Sequence, residues 1–190
     1  MTAICLIRHG ETDWNALGKL QGRTDIPLNE TGRRQAKKTG EYLKNTSWDV
    51  IISSPLKRAR ETADIINQYL GLDIVEMDDF IERNYGDAEG MPFEERMKLY
   101  PDKNYPNQES KEALTERMMA GIQKVSGQYP NRKVLIVAHG AAIHALLSRI
   151  SNGDVNLDNT KLVNACLSNI HFHENKWHVQ DYNLSEHLSD

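Results

Sequence analysis

The chain has 190 residues and a formal net charge of -4, and 39% of its residues are hydrophobic. A chain of this length can bury a substantial core, so we expect one domain over residues 1–190. The acidic balance argues against a nucleic-acid partner, because affinity for a phosphate backbone needs clustered basic residues. Since no run of about 18 apolar residues occurs, we expect no membrane partner either.

The two cysteines, Cys5 and Cys166, both lie in apolar segments. Two cysteines are too few for a disulfide framework, and their spacing is not that of a metal site. The first apolar segment reaches charged residues too early for the core of a signal peptide. These features predict a cytoplasmic protein with reduced, buried thiols.

Segments rich in β-branched residues alternate with helical periodicity along the first part of the chain. The loop after the first strand is long for a connection, which favours a functional loop. In chain order we predict a strand ending at His9, a helix over 32–44 capped by Asn29 or Thr31, a strand over 48–52, a helix opening at Pro55 and ending at Gly71, and a strand over 72–77.

The pattern weakens over 78–108, where acids, glycine and proline interrupt one short helix near 92–99. We interpret this stretch as a flap over the strand ends. Regular elements then resume as a helix over 109–129, a strand over 133–138, a helix opening at His139-Gly140, and a hairpin of edge strands turning at Glu174-Asn175. Strands that alternate with helices predict a three-layer α/β/α sandwich with a mostly parallel central sheet.

The pattern strand, histidine, glycine occurs twice, in CLIRHG ending at His9-Gly10 and in VLIVAHG ending at His139-Gly140. Ligands of open α/β sheets bind at the carboxyl ends of the strands, where both imidazoles should emerge. Arg8 precedes the first histidine, and Arg58 stands just beyond the second strand, at a helix start. Two guanidiniums, two imidazoles and a helix N-terminus suit a phosphoryl group. A neutral imidazole can also attack phosphorus.

Five segments carry a resemblance to a known family. In order, RHGETDWN, LQGRTDIPLNETGRRQA, SSPLKRARETA, IERNYGDAEG and VLIVAHG resemble the signature of the histidine phosphatase superfamily, the phosphoglycerate mutase-like proteins. The resemblance runs over nearly the whole chain, including the final hairpin. It implies the fold predicted above, a phosphohistidine intermediate, and neither a metal nor an organic cofactor.

The resemblance also implies a role for individual residues. His9 would be the nucleophile, and Glu82 the general acid and later the base that activates water. The residues that bind the transferred phosphoryl group would be Arg8, Arg58 and His139, with Asn15, Gln21, Gly22 and Gly140 completing the phosphate pocket. The chemistry agrees, since cations can take over the charge stabilisation that metal ions provide in other phosphatases. For its acid role Glu82 must be protonated near neutral pH, which a desolvating flap favours.

The same family contains phosphatases and mutases, which differ around the phosphate pocket. The mutases resembling this chain carry a longer insertion with paired arginines between the acid and the second histidine. Here the segment from Glu82 to His139 is short and has no Arg-Arg pair, Phe93 stands where those mutases have a lysine, and Gln21 stands where they tend to have a small hydroxyl residue. We therefore predict the phosphatase branch, acting on small phosphorylated metabolites with broad specificity. A cofactor-dependent phosphoglycerate mutase and a non-catalytic phosphate-ligand binding protein stay open as alternatives.

Other residues received weaker or competing interpretations. The role of general acid could instead belong to one of the neighbouring acids of the flap, and Glu82 would then be a surface acid. These neighbours are Asp78, Asp79, Asp87 and Glu89. We interpret His144 as a packed helix residue, and we set aside a metal site at the alternate residues His171, His173 and His178. Phe93, with Met91, Met97 and Tyr100, would form an apolar wall for leaving groups. The edge hairpin leaves both a monomer and a homodimer open.

Overall fold

Six strands form one sheet in the computed structural model, which describes residues 1–156 and 159–190. Short 3-10 turns at Asp78–Phe80, Gly86–Ala88 and Glu186–Leu188 separate some of the larger elements. Those larger elements are β1 (Thr2–Arg8), α1 (Asp13–Ala16), α2 (Glu30–Leu43), β2 (Val50–Ser53), α3 (Lys57–Leu70), β3 (Ile74–Glu76), α4 (Phe93–Leu99), α5 (Lys111–Gln128), β4 (Lys133–Ala138), α6 (Gly140–Ile150), β5 (Leu167–His173) and β6 (Lys176–Leu184).

The strand order is β3-β2-β4-β1-β5-β6. The first four of these strands are parallel, whereas β5 runs antiparallel to β1 and β6 antiparallel to β5. The predicted mostly parallel sheet is confirmed, but the prediction that both hairpin strands lie at the edge is wrong. β5 is an inner strand because its apolar first half pairs with β1, in a register that sets Leu167 opposite Ile7.

Side chains alternate across the sheet and build a core on each face. From β1, Ile4 and Leu6 join the cluster that contains residues of α5 and α6, while Cys5 and Ile7 join the cluster that contains residues of α2 and α3. Successive residues of a strand point to opposite faces of the sheet, so a strand that is covered on both faces consists of consecutive apolar residues. The helices therefore form one layer on each side, which confirms the three-layer fold.

The starts of α2 and α3 can be compared with the helix starts predicted from the sequence. α2 is capped by Asn29, whose side chain accepts from the backbone N–H of Gly32 at 2.9 Å. α3 begins at Lys57 rather than at Pro55, because Leu56 is still extended at φ -64° and ψ 141°. The chain thus leaves β2 through a short turn before the helix starts. Gly71 ends α3, as predicted, and it does so in the left-handed conformation.

The segment 78–108 covers the start of α5 and α6 and is anchored by Phe80. This ring is fully buried and packs so closely on Gly121 of α5 that a Cβ there would come within 2.9 Å of it. Main-chain bonds between Leu20 and Met91, and between Gly90 and Leu20, join the flap to the loop after β1. Within the described residues, no helix combines the length and hydropathy that a membrane span needs.

Candidate active site

The two strand-His-Gly segments meet at one edge of the sheet. β1 and β4 are parallel neighbours with Arg8 opposite Ala138, so the histidine that follows each strand emerges beside the other. The ring centroids of His9 and His139 lie 5.2 Å apart. Both imidazoles are buried, His9 with 2% of its surface exposed. The tertiary structure therefore brings together two residues far apart in sequence.

His9 presents a lone pair on Nε2. Its Nδ1 lies 2.6 Å from the carbonyl oxygen of Gly10, and because a carbonyl only accepts, Nδ1 carries the hydrogen. Nε2 accepts from Nε of Arg58 at 3.3 Å. Burial, followed by the charges of Arg58 and Arg8, lowers the pKa of His9 well below its usual value. The ring is neutral at pH 7, the state that a nucleophilic imidazole requires.

Arg58 is fixed by backbone carbonyls of the loop after β1. Its Nη2 donates to the carbonyl of Gly22 at 2.5 Å and its Nη1 to that of Thr24 at 2.7 Å. Burial lowers the pKa of Arg58 to about 10, so the guanidinium stays charged at neutral pH. Gly22 has φ +55°, and a Cβ there would lie 2.2 Å from Oε2 of Glu89. Only glycine fits this turn without displacing that carboxylate.

His139 lies opposite His9 and bonds to Ser54, a residue whose role the sequence did not reveal. Its Nε2 is 2.7 Å from Oγ of Ser54, and that oxygen also accepts the backbone N–H of Leu56 at 3.3 Å. Burial, followed by the charge of Arg58, lowers the pKa of His139 well below its usual value. The His139 ring is therefore neutral at pH 7, and its role in stabilising the charge of a phosphoryl group stays a prediction.

Two buried polar atoms beside Gly140 have no protein partner among the described residues, namely Nε of Arg8 and Nδ1 of His139. A Cβ on Gly140 would approach Nε of Arg8 to 3.1 Å, so these groups border the start of α6. Burial lowers the pKa of Arg8, whose Nη1 donates to the carbonyl of Leu162 at 2.5 Å. Since a buried polar group without a partner costs free energy, these two atoms point to a bound oxyanion.

Glu82 lies on the N-terminus of α6 and is 7% exposed. Its Oε1 accepts from the backbone N–H groups of Arg83 at 2.8 Å and Ala142 at 3.0 Å, and its Oε2 from that of Ala141 at 3.1 Å. Backbone donors and the positive end of a helix stabilise a carboxylate. Of the other acids considered for this role, Asp79 pairs with Lys124, and Asp87 accepts a hydrogen bond from Asn107.

Glu89 is not the free surface acid that the sequence suggested. Its Oε1 accepts from the backbone N–H of Thr24 at 2.9 Å and from its hydroxyl at 2.6 Å, while Oε2 accepts from the backbone N–H groups of Arg23 at 3.1 Å and Tyr85 at 3.0 Å. One carboxylate thus ties the flap to the loop whose carbonyls hold Arg58. No local sequence signal distinguishes it from its acidic neighbours.

Asn15 and Gln21 belong to one hydrogen-bond network around Thr12. The hydroxyl of Thr12 donates to Oε1 of Gln21 at 2.6 Å, and Oδ1 of Asn15 accepts the backbone N–H of Thr12 at 3.1 Å. Nδ2 of Asn164 donates to Oδ1 of Asn15 and to the carbonyl of His9, both at 3.2 Å. Sequence reasoning missed Asn164 because it lies in a late, irregular segment that only the fold brings to His9.

Two weaker sequence interpretations concern residues outside this cluster. The rings of His171 and His178 stack at 5.2 Å near the turn of the hairpin, where β1 begins rather than ends. Over residues 1–156 and 159–190, no group of three or more His, Cys, Asp or Glu side chains is arranged to hold a metal ion. Phe93 is 55% exposed and its ring lies against the guanidinium of Arg96, and the apolar wall for leaving groups stays a prediction.

Comparisons with known proteins agree with this geometry. The chain is 68% identical to the uncharacterized phosphatase PhoE of Bacillus subtilis (strain 168), over 100% of this chain and 98% of that protein. It is 32% identical to a metal-independent phosphoserine phosphatase of Arabidopsis thaliana, over 100% of this chain and 84% of the relative. The probable phosphoglycerate mutase GpmB of Cronobacter sakazakii is 33% identical, over 93% of this chain and 88% of its own.

Among solved structures, Bacillus stearothermophilus YhfR superimposes with a TM-score of 0.93 at 25% identity, over the full length of both chains. The sequence model of the histidine phosphatase superfamily (branch 1) matches residues 4–185. This match covers both strand-His-Gly segments, Glu82 and the final hairpin. The chain therefore belongs to the histidine phosphatase superfamily, and its relatives place it with the phosphatases of that family.

Proposed function

We propose that the protein is a metal-independent phosphomonoester hydrolase that acts through a phosphohistidine at His9. One observation carries this proposal. Gly10 fixes the hydrogen of a buried, neutral His9 on Nδ1, while Nε2 faces Arg58 in a pocket where Arg8 and His139 have unpartnered polar atoms. A phosphoryl group would supply the oxygens that these atoms lack and a phosphorus for Nε2 to attack.

In the first step, Nε2 of His9 attacks phosphorus and the bond to the ester oxygen breaks. That oxygen takes the proton of the Glu82 carboxyl group and leaves as an alcohol. The incoming phosphate accepts the hydrogen bond that Nε of Arg58 otherwise donates to Nε2 of His9, so the lone pair on Nε2 becomes free. A phosphate dianion beside Glu82 disfavours a second negative charge there, which supports the protonated state that the acid role needs.

In the second step, the Glu82 carboxylate takes a proton from water, and the water oxygen attacks phosphorus. The phosphorus–nitrogen bond breaks, inorganic phosphate leaves, and His9 regains its lone pair. Arg8 and Arg58 balance the charge on the transferred group throughout. The hydroxyl of Ser54 can donate to Nε2 of His139, which leaves the hydrogen of that ring on Nδ1 for a phosphoryl oxygen.

Two alternatives are weaker. A phosphoglycerate mutase would need paired arginines for its substrate carboxylate, and the segment from Glu82 to His139 has no such pair. Rapid interconversion of 2- and 3-phosphoglycerate, dependent on a bisphosphate primer, would identify one. A non-catalytic phosphate-binding protein would need neither a fixed His9 tautomer nor a carboxylate at Glu82. The broad specificity, the cytoplasmic location and the choice between monomer and homodimer stay predictions.

The test is hydrolysis of a chromogenic aryl phosphate in EDTA, together with trapping of the phosphoenzyme. We expect His9→Ala to abolish both hydrolysis and the acid-labile phosphate bound to protein. His171→Ala removes a histidine outside the site and should leave both unchanged. Full activity of His9→Ala, or failure of the unaltered protein to form any phosphoenzyme, would overturn the proposal.

A further inference from the structure

One arginine outside the phosphate pocket, Arg117, holds the main chain that carries Glu82. It lies in the second turn of α5 and outside the five sequence segments that carry the family resemblance. Its Nη1 donates to the carbonyl oxygens of Asp79 at 2.9 Å and Ile81 at 2.7 Å, and its Nη2 lies 3.5 Å from that of Glu82. One guanidinium therefore holds three carbonyl groups within residues 79–82.

Glu109 fixes the orientation of that guanidinium. Its Oε1 accepts from Nη2 of Arg117 at 2.9 Å, and its Oε2 accepts from Nε at 3.1 Å. Two parallel bonds of this kind hold a planar guanidinium in one orientation. The side chains of Arg117 and Glu109 are only 19% and 13% exposed, so water competes little for these bonds. Burial raises the pKa of Glu109, but the hydrogen bond and the charge of Arg117 outweigh burial and lower that pKa below its usual value. The carboxylate therefore stays charged.

The same pair also holds the chain on the other side of Glu82. The backbone N–H of Glu109 donates to the carbonyl of Asn84 at 2.7 Å, and Nε of Arg83 donates to the carbonyl of Glu109 at 2.8 Å. Oε1 of Glu109 also accepts from the backbone N–H of Asn84 at 3.3 Å. The main chain around Glu82 is thus fixed from the start of α5, while its carboxyl group is fixed by backbone N–H groups at the start of α6.

We propose that Arg117, oriented by Glu109, is a positioning residue for proton transfer from Glu82 to the leaving oxygen. The proposal rests on the proposed phosphatase function, in which Glu82 is the acid. The proton moves only when the carboxyl group and the ester oxygen lie within hydrogen-bond distance of each other. Arg117 acts through Glu82, because its described hydrogen bonds go to Glu109 and to residues 79–82.

This role predicts that the effect of removing Arg117 depends on the leaving group. 4-Nitrophenolate is a stable anion and leaves without a proton, whereas the alkoxide of benzyl phosphate is a strong base that must be protonated as it leaves. For both substrates, kcat/KM reports the steps up to the phosphohistidine. We expect Arg117→Met to reduce kcat/KM about a hundredfold for benzyl phosphate, the cost of an acid misplaced by about 1 Å, and at most about threefold for 4-nitrophenyl phosphate.

The quantity to compare is the ratio of the two kcat/KM values, which does not depend on how much of a variant is folded. Arg117→Lys keeps the charge but cannot form the two parallel bonds, so the ratio should change in the same direction and to a smaller degree. Arg149→Met is the matched control, since it removes a 46% exposed arginine of α6 that pairs with Glu116 at 2.6 Å, and it should leave the ratio unchanged. Glu82→Gln removes the proton itself and should change the ratio at least as much as Arg117→Met.

The outcomes separate this inference from the function on which it rests. A ratio that changes in Glu82→Gln but stays normal in Arg117→Met and Arg117→Lys would overturn the positioning role of Arg117. A normal ratio in Glu82→Gln would instead refute Glu82 as the acid of the proposed function, and the role of Arg117 with it.

Discussion

Glu89 offers a direct test of how the flap supports catalysis. Its carboxylate accepts four hydrogen bonds, three of them from Arg23 and Thr24 and one from the backbone of Tyr85. The same loop supplies the carbonyls of Gly22 and Thr24 that hold Arg58. We expect Glu89→Ala to loosen this loop and to displace the guanidinium, although Glu89 itself does not bind His9.

The expected loss of unfolding free energy in Glu89→Ala follows from the number and kind of hydrogen bonds that are removed. A hydrogen bond to a charged group contributes about 1.5–3 kcal/mol, but the freed donors lie near the surface and regain water, so the four together should cost about 2–4 kcal/mol of unfolding free energy. A misplacement of about 1 Å at a catalytic group can cost about a hundredfold in rate. We expect kcat to fall by roughly that factor, because in the proposed mechanism Arg58 stabilises charge that develops in the transition state.

Urea unfolding and aryl phosphate kinetics measure the two effects separately. Asp87→Ala is the matched control, since Asp87 lies two residues away and is exposed, with a single side-chain bond from Asn107. Asp87→Ala should leave both the urea midpoint and kcat almost unchanged. A folded Glu89→Ala protein with an unchanged urea midpoint and with kcat within twofold of normal would refute the reasoning.

Three further predictions concern the buried histidines. The pKa values of His9 and His139 are lowered below 6.5 in the folded protein, so below that pH the unfolded chain binds more protons than the folded protein does. Stability, measured by urea midpoints, should therefore fall as the pH is lowered below about 6.5. For the same reason the acid limb of kcat/KM should lie below pH 6.5, and a limb at or above that value would show that His9 is not held neutral. Ser54→Ala removes the hydrogen-bond partner of Nε2 of His139 and should reduce kcat about tenfold. Ser53→Ala is the control, because it removes an equally buried hydroxyl that bonds only to the backbone, and it should leave kcat unchanged. Equal effects of the two variants on kcat would contradict the role of Ser54.

Much of the fold could be predicted from local patterns. Continuous apolar runs such as KVLIVA reveal strands that are covered on both faces, and periodic apolar residues reveal α2, α3 and α5. Element ends were less certain, because they depend on single turns: α3 starts after an extended Leu56 rather than at Pro55. The inner position of β5 depends on its pairing with β1, which no local pattern encodes.

The chemical types of the site residues and their order can be predicted from the sequence alone, because these residues lie in the motif segments RHG, SSPLKRARE, IERNYG and VAHG. Their ionisation states and their hydrogen-bond partners from distant parts of the chain depend on the fold. His9 and His139 are neutral because the fold buries them beside arginines, and Glu82 lies at α6 because the flap returns to that helix. Ionisation and long-range hydrogen bonds depend on which groups the folded chain brings within a few ångströms, and that distance is not a property of neighbours in sequence.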